Sequence, residues 1–261
     1  MKLTPRKAIS VARAREVLKD LDIQESDEID VSRIAAYYGV EVREEPLTGM
    51  DGRIVRNETS AIVTVRESIP FAPQKRFVIA HELGHFFLHP KTRQIETVDQ
   101  SQTLDWSEKQ HVEEYEANLY AAELLMPVSL FKPRISGEEP SFALIEKLVR
   151  DFNTTFTATA VQYILTTCEE CALVSCTGRQ RIWAVCSPGF SFKFLEDGYV
   201  HGCSCAAEVL RKGGAVKSSD VEAGYWLDGF YGDHKSSITE EARFFPSLGR
   251  SLSLIWIHEE I

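Results

Sequence analysis

Apolar positions recur along this chain with two different periods, and the change from one to the other divides it. From 6 to 21, Ala8, Val11, Ala12, Ala14, Val17, Leu18 and Leu21 fall three and four apart among charges, which predicts an amphipathic helix. Residues 29 to 40 predict a second, shorter helix stopped at Gly39. The alternation of Val40 to Arg43 then reads as a strand. An Asp51-Gly52 turn leads into another over 50 to 55, and 60 to 65 gives a third, so a small antiparallel sheet is expected. Residues 76 to 89 form an almost continuous apolar helix. A polar loop from about Pro90 to Asp105 follows, then a long helix from Trp106 to Met126 ended by Pro127. After a loop over Pro133 to Pro140, helices are predicted over 142–152 and 157–167. From about Cys171 the period falls to two, with strand-like runs at 172–175, 181–185, 191–194, 221–227 and 251–257 between Gly-rich turns. The expected fold class is α+β, with a mainly helical domain over 1–168 and a β-rich C-terminal domain over 169–261.

The helix over 76 to 89 carries chemistry. His81 and His85 lie four apart, on one face of a helix, and can offer two imidazole nitrogens to one metal ion. Glu82 lies one position round, where a carboxylate can leave the metal alone and take the proton of the attacking water, as in a zinc peptidase of the H-E-x-x-H pattern. Gly84, a poor helix former by about 1 kcal/mol, is expected to leave room for a substrate backbone beside the metal. A catalytic zinc takes three protein ligands, so a third must come from the next helix. Glu113, Glu114, Glu116 and Glu123 compete there. Glu114 is favoured because Asn118, four residues on, shares its face and can orient a ligating histidine, but helical phase alone leaves Glu116 open. Tyr115, Tyr120, His111 and His89 are the candidate donors to an oxyanion.

Composition narrows the partners. The 261 residues are 44% hydrophobic and 26% charged, and no apolar run approaches the ~18 residues of a membrane span. The N-terminus lacks the apolar stretch of a secretion signal, so the expectation is a cytoplasmic protein. A formal net charge of -10 argues against tight general binding to nucleic acid and leaves a basic protein substrate or partner open. The helix pair over 142–167 has few basic residues and is expected to pack into the core rather than to bind DNA. All six cysteines lie between 168 and 205. Cys168, Cys171, Cys203 and Cys205 are weighed as a second metal site against reduced, unpaired thiols or a redox pair, with the thiols preferred.

Two motifs, Arg-Phe-x-x-Ala-His-Glu-Leu-Gly-His-x-x-Leu-His over 76 to 89 and Glu-x-x-Ala-Asn-x-Tyr-Ala-Ala-Glu-Leu-Leu-Met-Pro over 114 to 127, closely resemble the ImmA/IrrE family of metallopeptidases. The resemblance covers roughly residues 8 to 165. It implies a zincin-like, gluzincin-like metallopeptidase domain with His81, His85 and Glu114 as metal ligands, Glu82 as catalytic base and Asn118 beside the ligands. The implied cofactor is Zn2+, with Mn2+ as the alternative. The implied function is that of a zinc-dependent endopeptidase that cleaves a helix-turn-helix (XRE-type) repressor and so induces stress, phage or mobile-element genes. Two alternatives stand beside it. One is a metal-binding regulatory protein that senses a signal and sequesters a partner, and the other is the protease component of a toxin-antitoxin or phage-defence module.

Overall fold

A computed structural model describes residues 5–57, 59–89, 94–96, 112–214, 216–230 and 236–257. The chain divides into two compact units, one of Met1–Arg134 with Glu146–Gln162 and the other of Ile135–Ile145 with Tyr163–Ile261. Both are α+β. Among the described residues no helix is long and apolar enough to cross a membrane.

The first unit opens with helix α1 (Pro5–Asp20), which buries Ala14, Val17 and Leu18. Helix α2 (Val31–Tyr37) starts where the Asp30 carboxylate accepts the backbone N–H groups of Ser32 and Arg33, and it ends before Gly39, whose φ of 73° suits glycine. Strands β1 (Val40–Glu45), β2 (Gly52–Arg56), β3 (Ala61–Arg66) and β4 (Gln94–Glu96) form a sheet of order β1-β3-β2-β4. This corrects the expected antiparallel sheet: β2 and β3 form an antiparallel pair, but β1 runs parallel to β3 on its far side, with Val40 opposite Ala61. The tight turn at Asn57–Ser60, where the Asn57 side chain accepts from the backbone of Thr59 and Ser60, makes β2 and β3 the local antiparallel pair, so β1 joins β3 only across a crossover. Strand β4 lies inside the stretch expected to be a polar loop. It pairs antiparallel with β2.

Helix α3 (Ala72–Leu88) follows, with a proline in its first turn. Helix α4 (Val112–Leu125) packs along it, and the expected start of that helix at 106–111 lies outside the described residues. Helix α5 (Val128–Ile135) was not expected, because Pro133 reads as a breaker; the proline sits in the last turn of a short helix launched by Pro127, whose carbonyl accepts from Leu130 and Phe131. Helices α6 (Phe142–Phe152) and α7 (Phe156–Thr166) occupy the predicted places. They serve the core: Phe131 meets Phe152 in a ring contact, and the Gln162 side-chain amide donates to the Met126 carbonyl at the end of α4.

In the second unit, β5 (Cys171–Thr177), β6 (Gln180–Cys186), β7 (Lys217–Glu222), β8 (Ser237–Phe245) and β9 (Arg250–Trp256) form an antiparallel sheet of order β6-β5-β9-β8-β7. Residues 191–194 are not a strand, and Phe194 makes one isolated bridge to Leu227. The run expected over 221–227 turns after Glu222 into a short 3-10 segment. Two elements were not foreseen, β8 and helix α8 (Cys205–Lys212). Both hinge on one buried carboxylate. Glu240, fully buried in β8, accepts from the first backbone N–H groups of α8 at Cys205 (2.9 Å) and Ala206 (2.7 Å), from the Trp226 indole (3.0 Å) and from the Ser253 hydroxyl (3.0 Å). Read along the sequence, Thr-Glu-Glu-Ala-Arg is poor strand material. In the fold, the glutamate is the acceptor that lets a helix N-terminus pack on an apolar sheet.

Glu240→Ala would leave four buried donors without an acceptor and should destabilise this unit by about 3 kcal/mol or more. Urea unfolding followed by tryptophan fluorescence, to which Trp183, Trp226 and Trp256 contribute, measures it.

Candidate metal centre

Helix α3 turns His81 and His85 inward so that their Nε2 atoms lie 3.0 Å apart. From α4, the Glu114 carboxylate reaches both, with Oε2 3.1 Å from His81 Nε2 and Oε1 3.3 Å from His85 Nε2. Both histidines are fully buried, and 18% of the Glu114 side chain is exposed. His81, His85 and Glu114 are, among the described residues, the one group of three or more His, Cys, Asp or Glu able to hold a metal ion.

The proton pattern fits a cation. Asn118 Oδ1, 2.9 Å from His81 Nδ1, accepts its proton and leaves Nε2 as a lone pair facing the centre. Burial pulls the His81 pKa down, but the hydrogen bond and charge of Glu114, aided by Glu82, overcome it and raise the pKa above that of an ordinary imidazole. His85 behaves oppositely: burial is the first cause, neighbouring His81 and His89 add to it, and its pKa falls to about 4. Burial would lift Glu114, yet the imidazoles of His81 and His85 beside it hold it well below the usual carboxylate range. With a cation in place of the shared protons, two imidazole nitrogens and an ionised carboxylate would converge on it.

Why the two helices come so near is answered by Gly84. A Cβ at that position would stand 3.0 Å from the Ala117 Cα, 3.1 Å from the Ala117 carbonyl oxygen and 3.2 Å from Tyr120 Cδ1. The glycine admits the backbone of α4, correcting the expectation that it clears space for a substrate. Gly52 makes similar room: a Cβ there would stand 2.4 Å from Val78 Cγ1 and 2.9 Å from Glu82 Oε1. Glu82, fully buried, therefore lies against the start of β2, one residue along α3 from His81.

Residues 35–162 match the family model described as the IrrE N-terminal-like domain, a peptidase group. This stretch of the chain belongs to the ImmA/IrrE family. The IrrE-like domain thereby falls among metallopeptidase-type or regulatory domains. No curated protein matches the chain. In fold, the chain is similar to a solved structure described as a Mycobacterium tuberculosis transcriptional regulator, with 13% identity over 95% of this chain and 87% of that chain and a TM-score of 0.64.

Other residues singled out in the sequence are placed as follows. Glu116 of the IrrE-like domain pairs with His89 at 3.1 Å, and Glu123 with Arg15 at 2.6 Å, so neither joins the trio. Tyr120 is fully buried against Gly84 and Phe87, and burial raises its pKa; Tyr115 is buried on the same helix. His111 lies outside the described residues. Cys168 and Cys203 are exposed, and burial pushes the thiols of Cys171 and Cys205 up to about 12, protonated and poor as ligands. Sequence reasoning missed Gly52, whose Asp-Gly signal was spent on a turn, and Arg56 at the far end of β2. The Arg56 guanidinium donates to the carbonyls of Phe86 and His89 at the end of α3.

Gly84→Val should push α4 off α3, cost roughly 1–3 kcal/mol by overpacking and weaken any divalent metal binding at the trio in parallel. Urea unfolding and chelator competition on the same samples measure both.

Proposed function

We propose that this protein is a zinc-dependent endopeptidase of the cytoplasm whose substrate is a helix-turn-helix repressor of XRE type. The observation that carries the reading is Glu82, a second buried carboxylate held beside the converging trio by the space at Gly52. Mere retention of a metal has no use for it. His81, His85 and Glu114 would hold the ion, and a donor set of two imidazoles and one carboxylate suits zinc, with manganese the alternative. When bound, the ion supplies a Lewis acid that polarises the scissile carbonyl and acidifies water. Glu82 takes the proton of the attacking water and hands it to the leaving nitrogen. Asn118 keeps the His81 proton on Nδ1. Of the candidate oxyanion donors, Tyr120 is packed against Gly84 and His89 is engaged at both ring nitrogens.

The formal charge of -10 suits a basic partner such as a DNA-binding repressor, which long-range attraction would steer towards the chain. Residues 169–261 are assigned to docking or restraint, since the ligands and the base all lie before them. A second reading, a metal-binding regulator that sequesters its partner uncut, draws on the description of the solved neighbour as a transcriptional regulator.

The two readings part at Glu82. Glu82→Gln leaves all three ligands in place, so it should retain zinc while cleavage of the repressor encoded by a neighbouring gene falls by roughly a hundred- to ten-thousand-fold. Mass spectrometry of the products and metal analysis of the protein give both readouts, and equal cleavage by the variant would exclude the peptidase reading. Glu114→Ala should lose most of its zinc.

A further inference from the structure

Behind His85 the structure continues a chain of contacts that the peptidase reading does not use. His85 Nδ1 lies 3.0 Å from His89 Nδ1, and His89 Nε2 lies 3.1 Å from Glu116 Oε2. His89 is 8% exposed, and the Glu116 side chain 12%. A buried imidazole and carboxylate seldom stabilise a fold more than an apolar pair of the same volume would, so their presence behind a ligand calls for a chemical reason. The position of His89 is also fixed twice over. Its backbone N–H bonds to the His85 carbonyl at 3.1 Å, and its own carbonyl takes the Arg56 guanidinium reaching over from β2.

Proton accounting along this line gives it a direction. An ionised carboxylate only accepts, so Glu116 requires hydrogen on His89 Nε2. For a neutral His89 that leaves Nδ1 bare, and it must accept from His85 Nδ1–H. His85 then carries its lone pair on Nε2, the atom turned to His81 and Glu114. We propose that Glu116 and His89 are positioning residues that fix the tautomer and ring plane of His85, so that its Nε2 is ready to bind the metal. The inference rests on the metal-site reading and deepens it. The two ligand histidines are then supported unequally, His81 by the neutral amide of Asn118 and His85 by a carboxylate acting through a second imidazole. The opposite proton arrangement, a charged His89 donating to His85 Nδ1, would put hydrogen on His85 Nε2 and close the site to a cation.

The test is zinc affinity of the full chain by chelator competition for His89→Leu, Glu116→Leu, Glu116→Gln and the His89→Leu/Glu116→Leu double variant. Each leucine variant should bind zinc ~10–100-fold more weakly, the usual effect of removing a partner behind a ligand. The double variant should be little worse than either single one, because the two act in series. Glu116→Gln keeps an acceptor for His89 Nε2–H and should recover most of the affinity. In the cobalt-loaded protein, the visible ligand-field bands should move in the leucine variants and stay in the glutamine variant, which a loss of packing alone would not produce. Affinity within twofold of the parent in both leucine variants, or tighter binding in His89→Leu, would overturn the relay while leaving the metal site intact. Failure of the unaltered chain to bind zinc would instead overturn the metal-site reading and this inference with it.

Discussion

Everything at the metal centre depends on how closely α4 approaches α3. Two of the candidate donors come from one helix and the third from the other, so a distance between helix backbones becomes a distance between donor atoms. The gap is set where Gly84 faces the backbone of Ala117, at a spacing tighter than a Cβ on position 84 would ordinarily keep. One turn earlier on α4, Glu114 then reaches both imidazoles, and one residue after Ala117 the Asn118 amide meets the back of His81. Helix propensity is given up at one residue, and the geometry of a three-donor site is obtained in return.

The charges at the site follow from the same closeness. Burial disfavours every ion at this depth, yet Glu114 stays ionised because two imidazoles bond to it, and His81 is the more basic ring because Glu114 and Glu82 face it. The second unit solves a related problem without a cation. There Glu240 is surrounded by amide, indole and hydroxyl donors, and a helix N-terminus supplies the positive end. Burial still raises the Glu240 pKa, so hydrogen bonds alone do not fully replace water for a carboxylate.

Much of this was legible in the sequence, and the failures have identifiable physical causes. The spacing of His81 and His85 is a local property of a helix, so it could be read directly. The choice among the glutamates of α4 depends on how two helices cross, which no periodicity encodes, and the family motif supplied it. Gly84 was rightly singled out and given the wrong reason, because a missing side chain does not say which neighbour fills the space. The parallel pairing of β1 with β3 escaped because a strand pattern carries no direction. Strand β8 and helix α8 escaped together: each looks polar alone, and they make sense only once Glu240 and the helix N-terminus are seen to satisfy one another.

Strand β2 acts as a ruler laid along α3. At one end Gly52 gives way to Glu82, and at the other Arg56 clasps the last carbonyls of the helix, beside His89. Four strand steps cover about 13 Å and the seven helix steps from Glu82 to His89 about 10.5 Å, so the two marks agree once the arginine leans back. Insertions and deletions should therefore meet very different fates a few residues apart. In the loop over 46–49, ahead of the buried Asp51 that pairs with Arg66, an added residue changes only a connection. Within β2, the loss of one residue would bring a bulky side chain onto Glu82 or draw the arginine off the helix end.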